Sequence, residues 1–474
     1  MKKILITLLI SVVLVSCQSD DQYENLNRDP KNPTEVAAEF LFNSATKSLV
    51  DQMTSTNVNT NIFRLLGQYW TETTYTDEAN YDFTNRNIPQ NHWSEMYRDV
   101  LLDLKTAKEV VDADAELSQT EKDSRKAQAE VLMIYTWQQL VDAFGDIPYT
   151  DALGSSTLPK YDDAATIYGD LITRLDATIP NLGTGFGSAD KLYGGNTTAW
   201  KKFANSLKLK LGIRLSDVNP TLSASTVSSA VSAGVFTSNS DNASYKYEGS
   251  TPNTNPVWNS LVESGRSDFV AANTIVDIMN TLNDPRRSVY FKQNVGPGTY
   301  QGGTYGTTSS FANNSQVGEL MHQPTNPACL IDFAEVSFFL AEAAERSIVG
   351  TPANAEAHYN NGITASFDYW GATGVAAYLA TPAVAYTTAA GDWKTRIATQ
   401  KWIAMYNNGF EGWTSWRIFD VPTLNTPDGM TINDIPKRFL YPIVQAQLNG
   451  ANNSEASTAI GGDLKTTKLF WDKN

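Results

Sequence analysis

The strongest constraint on this chain is helical periodicity, punctuated by caps. Ser118-x-x-Glu121 forms a capping box, in which the serine hydroxyl and the glutamate carboxylate each satisfy a free N–H at a helix start. Apolar residues then recur at Ala129, Met133, Trp137, Leu140 and Phe144 until Gly145 stops the run. Asp163 opens a second stripe through Ile167, Leu171, Leu175 and Ile179, closed by Pro180. A third runs through Trp200, Phe203, Leu207, Leu211 and Leu215, with Lys201, Lys202, Lys208 and Lys210 off the stripe and expected on a solvated face. Phe333 to Val349 is Ala-rich, which permits close helix approach, and Thr351-Pro352 starts a partner carrying Tyr359, Ile363, Phe367 and Trp370. Short connections between such helices predict antiparallel neighbours. The expected fold is mainly α, built of divergent tetratricopeptide-like helix pairs packed against an irregular, loop-rich lobe with little β-strand.

Length and composition narrow this further. The 474 residues suffice for more than one lobe, and an apolar fraction of 41% with 18% charged residues belongs to a globular chain. The segments 234–330 and 371–393 hold most of the Gly, Ser, Thr, Asn and Pro between helices and read as binding loops. Within them, Ala243 to Tyr247 alternates as a short strand would. A net charge of −15 opposes nucleic-acid binding, which starts from an excess of Lys and Arg.

The N-terminus reads as an address. Met1-Lys2-Lys3 precedes an apolar run from Ile4 to Val15, the length of a secretory signal and too short to span a bilayer. Leu14-Val15-Ser16-Cys17 is similar to a bacterial lipobox, which implies cleavage before Cys17 and its acylation. The expected division is a signal peptide over 1–16, acylated Cys17 with a tether over 17–35, and a globular region over 36–474. Processing removes Lys2 and Lys3 and no acid, which takes the charge from −15 to −17. It also leaves Cys329 without a disulfide partner, so its expected role is that of a small packed hydrophobe. Gln18 to Gln22 resembles the acidic export signal of surface lipoproteins in Bacteroidetes-type bacteria.

Common catalytic signatures are absent from the sequence. His92, His322 and His358 form no H-E-x-x-H pair, and there is neither a phosphate-binding Gly-Lys loop nor a G-x-S-x-G elbow. The run Gly183 to Gly187 reads as a linker. A paired-carboxylate glycosidase is defined in space rather than in sequence, but the helical-pair pattern lacks the strand-helix alternation of many glycosidase barrels. No catalytic residue, metal ligand or cofactor is expected.

Aromatic residues carry the functional hint. Tyr69, Trp70, Tyr75, Tyr81 and Phe83 crowd a segment rich in Thr, Asp and Asn, and Trp258, Tyr300 and Tyr305 lie in polar loops. A flat ring can stack on the C–H face of a pyranose while amides, carboxylates and guanidinium groups bond its hydroxyls. The expected ligand contacts are Trp70, Tyr75, Tyr81, Trp258, Tyr300 and Tyr305.

Taken in order, several segments resemble the SusD/RagB family of nutrient-binding outer-membrane lipoproteins. They are the lipobox, Leu140-Val141-Asp142-Ala143-Phe144-Gly145-Asp146-Ile147-Pro148-Tyr149, Trp200 to Leu207, Ala334 to Ala344, Gln400 to Met405, Gly412-Trp413-Thr414-Ser415-Trp416-Arg417 and Pro436 to Pro442. Arg417-Ile418-Phe419-Asp420 departs from the two arginines and glycine often found in relatives, and is expected to be surface variation. The resemblance implies four helix pairs and a loop-built ligand site. It also implies a lipid-anchored, outward-facing place on the outer membrane, over a SusC-like TonB-dependent transporter, and non-catalytic capture of oligosaccharides or polysaccharides. Capture of peptides, or a purely structural role in the transporter complex, are the alternatives it leaves open.

Overall fold

The computed structural model describes residues 36–473; the lipobox, Cys17 and the tether lie outside the described residues. Helix accounts for 54% of the structure and strand for 4%, in keeping with the expected mainly α fold. Ten longer helices organise it: α1 (Ala38–Thr54), α2 (Leu102–Ala113), α3 (Gln119–Phe144), α4 (Ala164–Thr178), α5 (Thr197–Arg214), α6 (Pro220–Ala233), α7 (Phe333–Glu345), α8 (Ala355–Trp370), α9 (Trp393–Ala404) and α10 (Gly409–Phe419). Helices α3 and α4, α5 and α6, α7 and α8, and α9 and α10 pack as four consecutive pairs, and α4 on α5, α5 on α7 and α7 on α9 join them.

The starts of these helices follow from local chemistry. Ser118 and Glu121 form the expected reciprocal box at α3. Asp163, Asn196, Asn219, Asp332, Asp392 and Asn408 each accept a backbone N–H from the first turn of the helix that follows. Where Gly412 of α10 meets Tyr69, an added Cβ would stand 2.0 Å from the tyrosine oxygen, so only glycine allows this crossing.

The end of α3 explains why separated segments of the chain recur together. A helix terminus leaves its last carbonyls without helical partners. Here Arg417 donates to Asp142 O at 2.6 Å, the Phe439 N–H to Ala143 O at 2.7 Å, and Arg438 to Phe144 O at 2.8 Å and 3.0 Å. Trp471 Nε1 reaches the Asp142 carboxylate at 2.8 Å. Arg417 is fully buried, its guanidinium 3.6 Å from the Trp413 ring centroid. The segment Arg417 to Asp420 is therefore not surface variation: Arg417 and Phe419 are buried and Ile418 is half-buried. Asp420 is exposed and takes a left-handed backbone at φ +51.

The lysines of α5 divide. Lys201 is exposed and Lys202 pairs with Asp241 at 2.8 Å, as a solvated face requires. Lys208 and Lys210 are buried instead, Lys208 against Asp176. Lys210 sits where the pairs meet, 2.9 Å from Glu335 of α7 and 2.9 Å from Glu411 of α10. Arg214 and Lys401 also reach Glu411, at 3.2 Å and 3.1 Å, and Arg214 lies 3.7 Å from Asp142. Burial works against the Glu411 charge, but the facing Lys210, Arg214 and Lys401 hold its carboxyl well below the usual range.

Strands are short antiparallel pairs. β1 (Trp70–Glu72) pairs with β5 (Phe269–Ala271), β2 (Ile147–Pro148) with β3 (Tyr161–Asp162), and β4 (Ser244–Tyr245) with β6 (Ala328–Cys329). The alternation at 243–247 thus marks a real strand. Cys329, at its partner's edge, is half-buried beside Ser244, and burial pushes its thiol up to about 12, so it stays protonated.

Candidate ligand cleft

The β1/β5 pair holds a cleft of about 430 Å³ between the loop after α1, the loop after β1 and the turn before β5. Thr73 fastens the second loop to the third, its N–H to Asp268 O at 2.9 Å and its hydroxyl to Ser267 O at 2.7 Å. The walls carry Asn57, Asn59, Asn259, Ser260 and Ser264, with Arg86, Arg266 and Asp268, and Phe269 provides an apolar floor. Tyr75 lines the same cleft with its side chain 61% exposed, which leaves a ring face free. Such a volume suits a few sugar rings, and amides and hydroxyls around one free ring are the groups a polyhydroxylated ligand needs.

Charge in the cleft is paired. Arg266 grips Asp268 through Nε at 2.5 Å and Nη2 at 3.0 Å, one bond to each carboxylate oxygen. Arg86 pairs with Glu78 behind the wall. Glu72, only 3% exposed, accepts the Ala79 N–H at 3.0 Å. Burial, reinforced by the adjacent Glu78 carboxyl, pushes the Glu72 carboxyl well above the ordinary carboxylate range, so it keeps its proton at neutral pH. Glu78 Oε2 is buried and finds no hydrogen-bond partner among the described residues.

The six aromatic residues expected at the ligand do not converge. Tyr75 alone lines the cleft. Trp258 is half-buried on the turn whose next two residues, Asn259 and Ser260, form part of the wall. Tyr300 is half-buried elsewhere, 6.2 Å from Phe291 and beneath the Arg287 guanidinium. Trp70, Tyr81 and Tyr305 are almost wholly buried, so none presents a stacking face to solvent. The reason is that their polar tips are satisfied internally. Trp70 Nε1 donates to Tyr406 Oη at 2.9 Å, Tyr305 Oη to Leu65 O at 2.9 Å, and Tyr81 Oη accepts from Gln68 at 3.2 Å. The polar residues beside these rings are what lets them be buried.

Residues that composition alone passed over are the asparagines of 57–61, the arginines and Asp268. Their only sequence signal is the amide-rich run that breaks α1, which reads first as a turn. A second, more open groove of about 600 Å³ is lined by Asp82, Phe83, Asp434, Asp463 and Lys465, but its aromatic residues, Tyr81 and Phe83, are buried. His92 is fully buried beside Gln52 at 2.6 Å, and burial lowers it to about 3, so the ring is uncharged at neutral pH.

Residues 30–442 match the SusD-like family described as starch-binding and associating with the outer membrane. The chain belongs to this family. A SusD homologue from Bacteroides uniformis superposes with a TM-score of 0.78 at 28% identity, over 92% of this chain and all of that one. A protein described as chitin-binding matches at 0.78 and 25% identity, over 92% and 100% of the two chains. A chitin-binding SusD homologue from Flavobacterium johnsoniae has the same fold, with a TM-score of 0.77 at 23% identity, over 92% of this chain and 97% of that one. No curated protein matches the sequence. Among the described residues of this SusD-like chain, no helix is long and apolar enough to cross a membrane.

Proposed function

We propose that this SusD-like protein is a surface lipoprotein, anchored through acylated Cys17, that captures an oligosaccharide in the Tyr75 cleft. It passes the ligand to a SusC-like TonB-dependent transporter without chemical change. The observation that carries the reading is the free Tyr75 ring facing amides and hydroxyls across a cleft of sugar-binding size. The family description and the chitin-binding relatives support the ligand class. Under this reading residues 1–16 are removed, 17–35 form the tether and 36–474 form the capture module.

The test is isothermal titration of the mature protein with maltohexaose, N-acetylchitohexaose, xylohexaose and mannohexaose, beside a mixture of random hexapeptides. Heat with one of the sugars and not with the peptides supports capture of glycans. Heat with the peptides alone, or with none, rejects it. Unchanged sugar length after prolonged incubation accompanies the non-catalytic reading, and new shorter products contradict it.

A further inference from the structure

The cleft offers two arginines to a ligand, Arg86 and Arg266, and in a strongly acidic chain these are the groups that could draw in an anionic sugar. Neither is unpaired. Arg266 spends Nε and Nη2 on the two oxygens of Asp268, which itself lines the cleft. Arg86 is paired with the fully buried Glu78, whose carboxylate a ligand cannot displace into water. We propose that the cleft selects an uncharged oligosaccharide and rejects uronate-bearing or sulfated ones, with Asp268 as the specificity-determining residue because it neutralises Arg266 at the ligand wall.

The inference rests on the capture reading above and adds the ligand's charge class. Asp268 in the wall counters Arg266 and the buried Glu78 behind it counters Arg86, so neither arginine is left as an uncompensated positive charge. Nothing local then offsets the repulsion that the chain's −15 exerts on an anion. A uronate seeking Arg266 would also meet the Asp268 carboxylate, and that like-charge contact counts against an anionic ligand while leaving a neutral one unaffected. Neutral hydroxyls face no such conflict. They can accept from the remaining arginine N–H groups and donate to Asp268 while the pair stays intact.

The test is an array of neutral oligosaccharides (α-glucans, β-glucans, xylans, mannans and chitin oligomers) and acidic ones (galacturonates, glucuronates and sulfated galactans). It is probed with the wild-type mature protein, with Asp268→Asn and with the double variant Asp268→Asn, Arg266→Gln. Thermal melts confirm that each is folded. The expected result is wild-type binding confined to neutral sugars. Asp268→Asn should shift the acidic-to-neutral binding ratio upward by at least about tenfold, a change the double variant reverses. Wild-type binding of acidic sugars as strong as that of neutral ones overturns the inference, as does an unchanged ratio in Asp268→Asn. If no sugar of either class binds, the capture reading itself falls and this one with it.

Discussion

Tyr75 and Trp70 lie on one loop-strand segment and meet opposite fates. Trp70 hands its N–H to Tyr406 and is buried, whereas Tyr75 has a ring face in water. Removing the free ring should therefore cost affinity and spare stability. Tyr75→Ala is expected to weaken sugar binding by several-fold to about tenfold, the value of about 0.5–1.5 kcal/mol for one ring contact, with an unchanged melting temperature. Trp70→Ala should do the reverse, lowering stability by about 3–5 kcal/mol, which denaturant titration reads directly. Glu72 supplies a pH prediction. The unfolded chain ionises this carboxyl at its ordinary value while the folded chain keeps the proton. The folded state thus binds more protons, and its stability falls as pH rises above the ordinary carboxylate range. Glu72→Gln replaces the protonated acid with a neutral amide, so the fall in melting temperature between about pH 5 and about pH 8 should be smaller than in the wild type. From sequence, a ring beside polar residues is the same pattern whether those residues serve a ligand or the ring's own burial. Only the distant partners, Tyr406 for Trp70 and Leu65 for Tyr305, tell the two apart, and they are hundreds of residues away.

At the scale of elements, periodicity and caps made the helix pairs legible, because both are written within a few neighbouring residues. Ser118 and Asp163 start α3 and α4 where local chemistry requires. What local pattern could not show is which off-stripe charges face a neighbour. Lys208 turns back to Asp176 of the preceding α4, whereas Lys210 turns toward α7 and α10, which the chain reaches much later. The Lys210, Arg214, Lys401 and Glu411 cluster locks α5, α9 and α10 together, with Glu335 joining α7. Glu411→Gln strands three buried cations beside a weaker acceptor. It should lower the unfolding free energy by about 3–5 kcal/mol, measured as the shift in urea midpoint at constant slope. A Leu or Met in that place, without matching changes at the lysines, is expected to do worse.

For the whole molecule, the four helix pairs pack into one scaffold, and the cleft is assembled beside α1, β1 and β5 from three loops, the last of them far from the others in sequence. The loop character of the turn before β5 was legible, as part of 234–330, but its convergence with the loops after α1 and β1 was not, since it depends on β1 pairing with a β5 that the chain reaches much later. Cys17→Ala is expected to move the protein from the membrane fraction to the soluble fraction and to abolish labelling by a fatty-acid analogue. The sugar affinity of the purified domain should remain as it was.

The capped end of α3 also sets an order in time. Arg438, which closes the Phe144 carbonyl, is 294 residues downstream of it, and Trp471 lies further still. A chain made N-terminus first completes its central helix long before the groups that finish it have been added. The end of α3 cannot be fully capped until nearly all of the polypeptide is present. A chain cut short before residue 437 retains α3 with the Ala143 and Phe144 carbonyls bare and Phe144 without its Phe439 ring neighbour. Such a fragment would be an open substrate for proteases, so completeness of synthesis is tested by folding itself.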